Sequence, residues 1–427
     1  SVETLHLDSH TQYPEAPVGR IPLDPHIDVL LEQACDLLGH APICDLLREC
    51  YGREQPIPAD PNPTFASAFA RLITRLFAAH GLIVLDAAGR DFHALGASTL
   101  RHAIQHADSL ESALLDRSAQ LDSSGYHAQV LVKPGSSLLF LLSEPDDPNA
   151  LPTRQPLRRL PDGTWKTGNG GKSTSAAATC TTAELLDLIE TAPERLSPNA
   201  LLRPVFQDTI LPTTAYIGGP SEIAYFAQSA VLYDAILGRV TPILPRLSAT
   251  LIAPSIAAVM AQHELSLPDA LTTPEALAQR LGARAMPIEA KRRLAAAGNA
   301  LDDALTAAQS YLATLDPSLG NSAEVSASKM RYQMDRLRRL AATFELHKDA
   351  SLRKHADAIT LNLYPNGHPQ ERVLAGVQLL AAEETALGDT SDAIPGSALD
   401  TVPGAALIRR LVAEAATQCP GHIVLPL

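Results

Sequence analysis

Apolar side chains recur at helical spacing in the opening region, where Ile27, Leu30, Leu31, Ala34, Cys35 and Leu38 share a stripe. They do so again over 64–79 through Phe65, Phe69, Leu72 and Leu76, and Pro56, Pro58, Pro61 and Pro63 mark a linker between the two stretches. The pattern then shortens. HGLIVLDAAG predicts a buried strand over 82–85, with Asp86 at its carboxyl end and a helix after it. In open α/β sheets, ligands gather beyond the carboxyl ends of strands. Residues 126–167 alternate, with apolar runs at 130–132 and 138–142 and an Asp162-Gly163 turn, which predicts antiparallel strands. Thr181 opens a helix, SPNALLRPVFQD returns to the sheet, and an apolar run over 243–251 follows a helix begun near Pro220. Strand, helix and strand in that order make a parallel crossover unit.

Near residue 270 the period becomes seven. Leu294, Leu301, Ala308 and Leu315 repeat, with Ala297, Ala304 and Tyr311 between them and Leu305 and Leu312 widening the stripe. Pro317 and Gly320 break the run, and Asn321 with Glu324 reads as a capping box. Met330, Leu337 and Phe344, interleaved with Met334, Leu340 and Ala341, form a second run. The pattern predicts two antiparallel helices, each roughly 40 Å long. A two-helix arm is too thin to bury so wide a stripe, which predicts a homodimer. In LYPNGHPQER, residues 363–372, Pro365 stops a helix, Asn366-Gly367 turns the chain and His368-Pro369 starts another helix. After a Pro/Gly/Ser-rich linker at 395–404, GHIVLPL reads as a strand returning to the core. The expected division is a core over 1–255 with an antiparallel insertion at 126–167, an arm over 256–363 and a closing segment over 364–427.

Composition narrows the function. With 427 residues, 46 % of them hydrophobic, the chain is long enough for two or three domains with a large core. A net charge of −13 disfavours nucleic acid and anionic membrane as partners, since both need clustered cations. The longest apolar stretch, 249–261, is broken by Pro254, and the first residues carry no signal-peptide pattern. Cys35, Cys44, Cys50, Cys180 and Cys419 form no CxxC pair, which predicts a reduced, cytoplasmic setting. Cys44, Leu47 and Cys50 share a helical face, so the three early cysteines, with His40 between, read as buried thiols and not as a metal site.

The densest chemistry lies in RPVFQDTILPTTAYIGGPSEIAYFAQ, residues 203–228. Its expected order is strand, glycine turn and helix. Unpaired N–H groups at a helix start attract phosphate or carboxylate, which nominates Gly218, Gly219 and Ser221. Pro220 fits the first helical turn. The plainer alternative is a turn capped by Ser221 or Glu222. Arg203, Gln207, Asp208, Tyr216 and Tyr225 lie close in sequence. GNGGKSTS, residues 168–175, fails as a phosphate loop because Lys166 stands where its first glycine belongs. An SxxK at 326–329 and a KTG at 166–168 occur in reversed order for penicillin-recognising enzymes and read as chance. Arg331, Arg336, Arg338, Arg339, Lys348, Arg353 and Lys354 form a solvated face or a seat for phosphates. Tyr364, Asn366, His368, Glu371 and Arg372 crowd one helix start, and His368 is a candidate general base. No GxSxG, HExxH or GxGxxG is present.

The 203–228 block, PERLSPNALLRP before it and LYPNGHPQER after the heptads closely resemble the BshC family, the cysteine-adding enzymes of bacillithiol synthesis. The likeness is collinear over nearly the whole chain. It implies an α/β fold, a Rossmann-like parallel-sheet core like that of class I aminoacyl-tRNA synthetases, with an inserted antiparallel coiled coil used in dimers. It implies amide-bond formation between L-cysteine and glucosaminyl malate, with ATP as the expected co-substrate; the residues themselves identify no metal site. The family's TGQQ-type glycine-rich segment and EDHDF-like acidic segment are not found, so the chain reads as starting after them and part of the pocket is expected to lie outside these residues. From their positions in the chain, Gly218, Gly219 and Ser221 are expected to take phosphate or carboxylate, helped by Arg203 or Arg246. Asp208 or Glu222 is expected to clamp an ammonium group. Gln207, Tyr216, Tyr225, Asn366 and Arg372 are expected to line the pocket, and His368 to deprotonate the attacking amine. The alternative is a non-catalytic coiled-coil scaffold on a synthetase-like core.

Overall fold

A computed structural model gives the fold and describes residues 19, 21–23, 26–52, 62–87, 89–142, 152, 154–168, 179–387, 402–418 and 421–427. Among these, residues up to 248 together with 402–422 form one compact unit, and 249–387 with 423–427 form a second.

The first unit opens with helices α1 (His26–Leu37), α2 (Ile43–Tyr51) and α3 (Phe65–Leu76). The α1–α2 turn passes through Gly39 and His40, both at positive φ. Cys35, Cys44 and Cys50 are buried and free, as expected, and burial, then the neighbouring Cys35, pushes the Cys44 thiol up to about 12. Helices α4 (Arg90–Leu95), α5 (Ala97–Gln105) and α6 (Ala107–Ser123) follow. A sheet is then laid down from β1 (Ser136–Leu142), β2 (Arg154–Arg159), β3 (Trp165–Thr167), β4 (Thr179–Cys180) and, after α7 (Thr182–Thr191), β5 (Leu196–Pro198). Its order is β4-β3-β2-β1-β5, antiparallel throughout. Leu139, Leu157, Trp165 and Leu196 of its strands pack with Leu100, Leu114 and Leu185 of the helices. The unit continues through α8 (Arg203–Ile210), β6 (Tyr216–Gly218), α9 (Pro220–Leu237) and β7 (Ile243–Pro245). Strands β6 and β7 pair in parallel around α9, which is the crossover read from the sequence.

The chain enters the second unit along β8 (Ser248–Ile252) and builds α10 (Pro254–Gln262), α11 (Leu267–Ala270) and α12 (Pro274–Ala285). The arm follows as α13 (Ile288–Leu315) and α14 (Pro317–Lys348), then α15 (Ala350–Leu363), α16 (Gln370–Val373) and α17 (Gly376–Leu387). Helix α18 (Ala405–Gln418) precedes the last strand, β9 (His422–Pro426), which pairs with β8. Among the described residues no helix is long and apolar enough to cross a membrane.

Several expectations are corrected. Residues 82–85 form no strand and Leu82, Ile83, Val84 and Leu85 are exposed, Ile83 by 80 %. An apolar run becomes a strand only against a hydrogen-bonding neighbour, and no described strand lies beside this one. Residues 130–132 are not a strand either, because the Gln228 side-chain amide takes the place of a partner strand. Val130 N–H donates to Gln228 Oε1 at 2.8 Å and Gln228 Nε2 donates to Val130 O at 2.9 Å. SPNALLRPVFQD is strand only to Pro198, and Arg203 onward is helix. The second arm helix starts at Pro317, capped by Asp316 accepting from Ser318 N, and not at Asn321. Along the arm Gly298, Ala327 and the expected Met334 are buried and the expected Leu294, Leu301, Leu305 and Leu312 half-buried, whereas Met330, Leu337, Leu340 and Phe344 stay exposed, Phe344 by 67 %. GNGGKSTS beyond Gly168, most of the 395–404 linker, the opening 1–17 segment, Pro56, Pro58, Pro61 and Cys419 lie outside the described residues.

Candidate functional site

The 203–228 block folds as helix, strand and helix. Asn199 shapes the turn that leads into the first helix: its Oδ1 accepts from Leu201 N at 3.0 Å and Leu202 N at 3.1 Å. Pro204 in the first turn has no N–H to lose. The chain then crosses β6 and re-enters helix at Gly219-Pro220. β6 lies so close to β7 that a Cβ on Gly218 would come within 2.7 Å of Ile243 Cδ1.

The carboxyl ends of β6 and β7 meet in a polar corner. Arg203 Nη2 donates to the Tyr216 hydroxyl at 3.0 Å and to the Tyr225 hydroxyl at 2.6 Å, and Nη1 donates to Gln207 Oε1 at 3.3 Å. Both hydroxyls donate onward to Glu222 Oε1, Tyr216 at 2.7 Å and Tyr225 at 3.3 Å. Arg203 Nη2 lies 3.6 Å from the same carboxylate, and the two side chains keep 39 % and 31 % of their surface in solvent. Arg246, which follows β7, is exposed and spreads its guanidinium over Gly219, where a Cβ would meet Nε at 3.2 Å. Burial opposes ionisation of Glu222. The Gly219 N–H, both tyrosine hydroxyls and the Arg203 charge outweigh it and hold the carboxyl below the usual carboxylate range.

The structure differs from the expected open anion seat. Gly218 and Gly219 are buried, and the Gly219 N–H donates to Glu222 Oε2 at 2.8 Å. The chain's own carboxylate fills the place reserved for an outside anion, which is the capped-turn alternative. Ser221 is exposed beside it.

Asp208 does not join the corner. It is 3 % exposed and accepts from Thr213 Oγ1 at 2.6 Å, from Tyr233 OH at 3.0 Å and from Thr241 Oγ1. Its oxygens tie α8 to α9 and to the loop before β7, leaving none directed at an ammonium group. Burial, then the Asp208 charge, pushes the Tyr233 hydroxyl well above its ordinary pKa. Nothing in the spacing of Asp208 set it apart from Gln207.

His368, Asn366 and Arg372 belong to the second unit, where all three are exposed. Asn366 turns the chain at φ 54°. The decisive residue of LYPNGHPQER is one the sequence did not flag. Gln370 is buried, accepts from Leu251 N at 2.9 Å through Oε1, and donates through Nε2 to Leu251 O at 3.0 Å and Asn362 O at 2.9 Å. It acts toward β8 as a strand partner would.

The arm's arginines are largely ion-paired, Arg331 with Asp302 at 2.9 Å, Arg338 with Asp335 at 2.9 Å and Arg353 with Asp357 at 3.2 Å, which is the solvated-face reading. At the arm's root, Arg280, Lys291, Arg338 and Arg339 rim a cavity of about 460 Å³. Gln279, which also lines it, has a buried Oε1 without a hydrogen-bond partner. Among the described residues no cluster of three or more His, Cys, Asp or Glu could hold a metal.

Comparison with known families matches residues 2–247 to the N-terminal Rossmann-like domain of BshC of bacillithiol biosynthesis, and residues 249–393 to its C-terminal coiled-coil domain. A relative from Koribacter versatilis is 39 % identical over 375 residues, covering 88 % of this chain and 66 % of the relative. One from Solibacter usitatus is 34 % identical, covering 86 % and 65 %, and one from Chlorobaculum tepidum 27 % identical, covering 87 % and 65 %. All three bear BshC cysteine-ligase names. The chain spans just under two thirds of the length of these curated relatives.

Proposed function

The chain belongs to the BshC family of bacillithiol biosynthesis, and from that premise we propose that it serves the joining of L-cysteine to the amine of glucosaminyl malate through an amide bond. The observation that carries the proposal is the corner of Arg203, Tyr216, Glu222 and Tyr225 at the carboxyl ends of the parallel strands. A guanidinium and a carboxylate 3.6 Å apart, both reachable from solvent, match the carboxylate and ammonium of a free amino acid. Two phenol hydroxyls fix both side chains before a ligand arrives. The corner is thus the proposed seat of cysteine. The proposal rests on it alone, since His368, Asn366 and Arg372 lie in the other unit.

A free carboxylate and an amine do not condense without activation, so ATP is the proposed co-substrate. Four free cysteines among the described residues suit a reducing cytoplasm. The scaffold alternative gains nothing from the relatives, which are named as ligases.

The test uses the full-length protein in a host lacking its own copy. Arg203→Ala and Glu222→Gln are each expected to lower bacillithiol about tenfold and to raise glucosaminyl malate, at unchanged protein level, since a hydrogen bond to a charged group contributes about 1.5–3 kcal/mol. Wild-type bacillithiol in both variants would overturn the assignment of the corner.

A homodimer through the arm is part of the same proposal. Met330, Leu337, Leu340 and Phe344 leave an apolar row on α14, and Tyr311 and Leu315 are exposed on α13. Phe344→Glu is expected to shift the protein from dimer to monomer in sedimentation. An unshifted dimer would mean that the row is not the contact.

A further inference from the structure

Two histidines in the second unit have no part in the proposed chemistry. His263 ends α10 and His355 lies on α15, and His263 Nε2 is 2.8 Å from His355 Nδ1 with ring centroids 5.0 Å apart. Both rings are half-buried, and the contact borders a cluster in which Ile256 and Met260 of α10 meet Leu352, Ala356 and Ile359 of α15. Helix α15 begins directly after the arm's returning helix, at Asp349. The pair therefore sits where the arm is rooted.

We propose that the His263–His355 hydrogen bond is an acid-sensitive latch that holds α10 against α15 at neutral pH and releases it when both rings are protonated. One imidazole must donate and the other accept, so the bond survives with no added proton or with one. With two added protons, donors carrying like charge face each other across 2.8 Å, and no acceptor remains. The second proton therefore binds the folded pair more weakly than it binds two separate histidines.

The groups reaching His263 act in both directions, and the lowering ones prevail. Burial, then His355, and more weakly Arg284 of α12, lower the His263 pKa, while the Asp349 carboxylate at the start of α15 opposes them. Arg284 also donates to the His263 and Glu264 carbonyls, and Asp269 of α11 lies 3.9 Å behind it, so its charge is fixed beside the latch. A histidine whose folded pKa is lowered gives stability that is present above the ordinary value of about 6.5 and lost as pH falls through the folded value.

The experiment is hydrogen exchange on the 427-residue chain, corrected for intrinsic rate, between about pH 7.5 and 5, the span in which histidine titrates. Protection over residues 254–265 is expected to fall below about pH 6.5 by up to about tenfold per pH unit, the limit for one proton. His355→Asn, made together with His263→Gln so that no titrating ring remains in the pair, keeps hydrogen-bonding groups and is expected to hold that protection within about twofold over the same range. Parallel loss in wild type and variant, or no loss in wild type, overturns the latch. If the double variant misfolds, an NMR titration of the wild-type rings decides instead: a lowered second pKa upholds the latch, and two histidines both titrating at or above about 6.5 sink it.

Discussion

Replacing Asp208 with Ala is expected to lower the stability of the first unit by about 3 kcal/mol, since a buried hydroxyl left without its partner costs about 1–3 kcal/mol and the void adds to it. The carboxylate accepts from Thr213, Tyr233 and Thr241, and Tyr233 is fully buried. Removing it leaves the Tyr233 hydroxyl in a dry core without an acceptor and opens a void beside it. Asp208→Asn keeps the shape but swaps one acceptor for a donor, so it is expected to cost less than Ala and still lower the melting temperature. Urea denaturation followed by Trp165 fluorescence, a reporter inside the same core, measures both. A loss under about 1 kcal/mol for Asp208→Ala, the net worth of an ordinary hydrogen bond, would show that the carboxylate does not tie the two helices together.

The second large effect is expected at Gly282 on α12. A Cβ built there lies 2.3 Å from the Ala342 carbonyl oxygen and 3.1 Å from its carbon, with Leu346 Cβ at 3.4 Å. The obstacle is the backbone of α14, which cannot rotate aside as a side chain would. Gly282→Ala must push α12 and α14 apart, at an expected cost of about 2–3 kcal/mol, within the range for overpacked cores. The sign is the sharper test. At an open helix position the same change stabilises by up to about 1 kcal/mol. A raised melting temperature for the second unit would show that the two helices do not touch at this point.

The arm was the most legible part of the fold, because long packed helices are what sustain a seven-residue apolar period over many turns. Its phase was less legible. Gly298 and Ala327 are buried along the arm while Leu337 and Phe344 face out, since small residues let helices approach closely and the larger ones project beside them. The run at 82–85 misled because a string of apolar residues has no way to announce whether a neighbouring strand is present. The corner was visible as polar density, and Arg203, Gln207, Tyr216, Glu222 and Tyr225 do meet there. Its inner assignments were not visible. One residue along a helix turns a side chain by about 100°, enough to send Asp208 into the core and Gln207 to the corner. Gln370 escaped notice for a related reason: its role is fixed by a strand more than a hundred positions away in sequence.

Glu222 also limits what the corner will welcome. A bare phosphate arriving at the start of α9 meets a tenant already holding the Gly219 amide and would have to evict it against repulsion. A molecule carrying both signs would offer the guanidinium a carboxylate and Glu222 an ammonium group, so each contact it displaces would find a fresh counterpart. With cysteine seated as proposed, the glycine bend would act as a filter that turns away simple anions and admits compounds whose charges cancel.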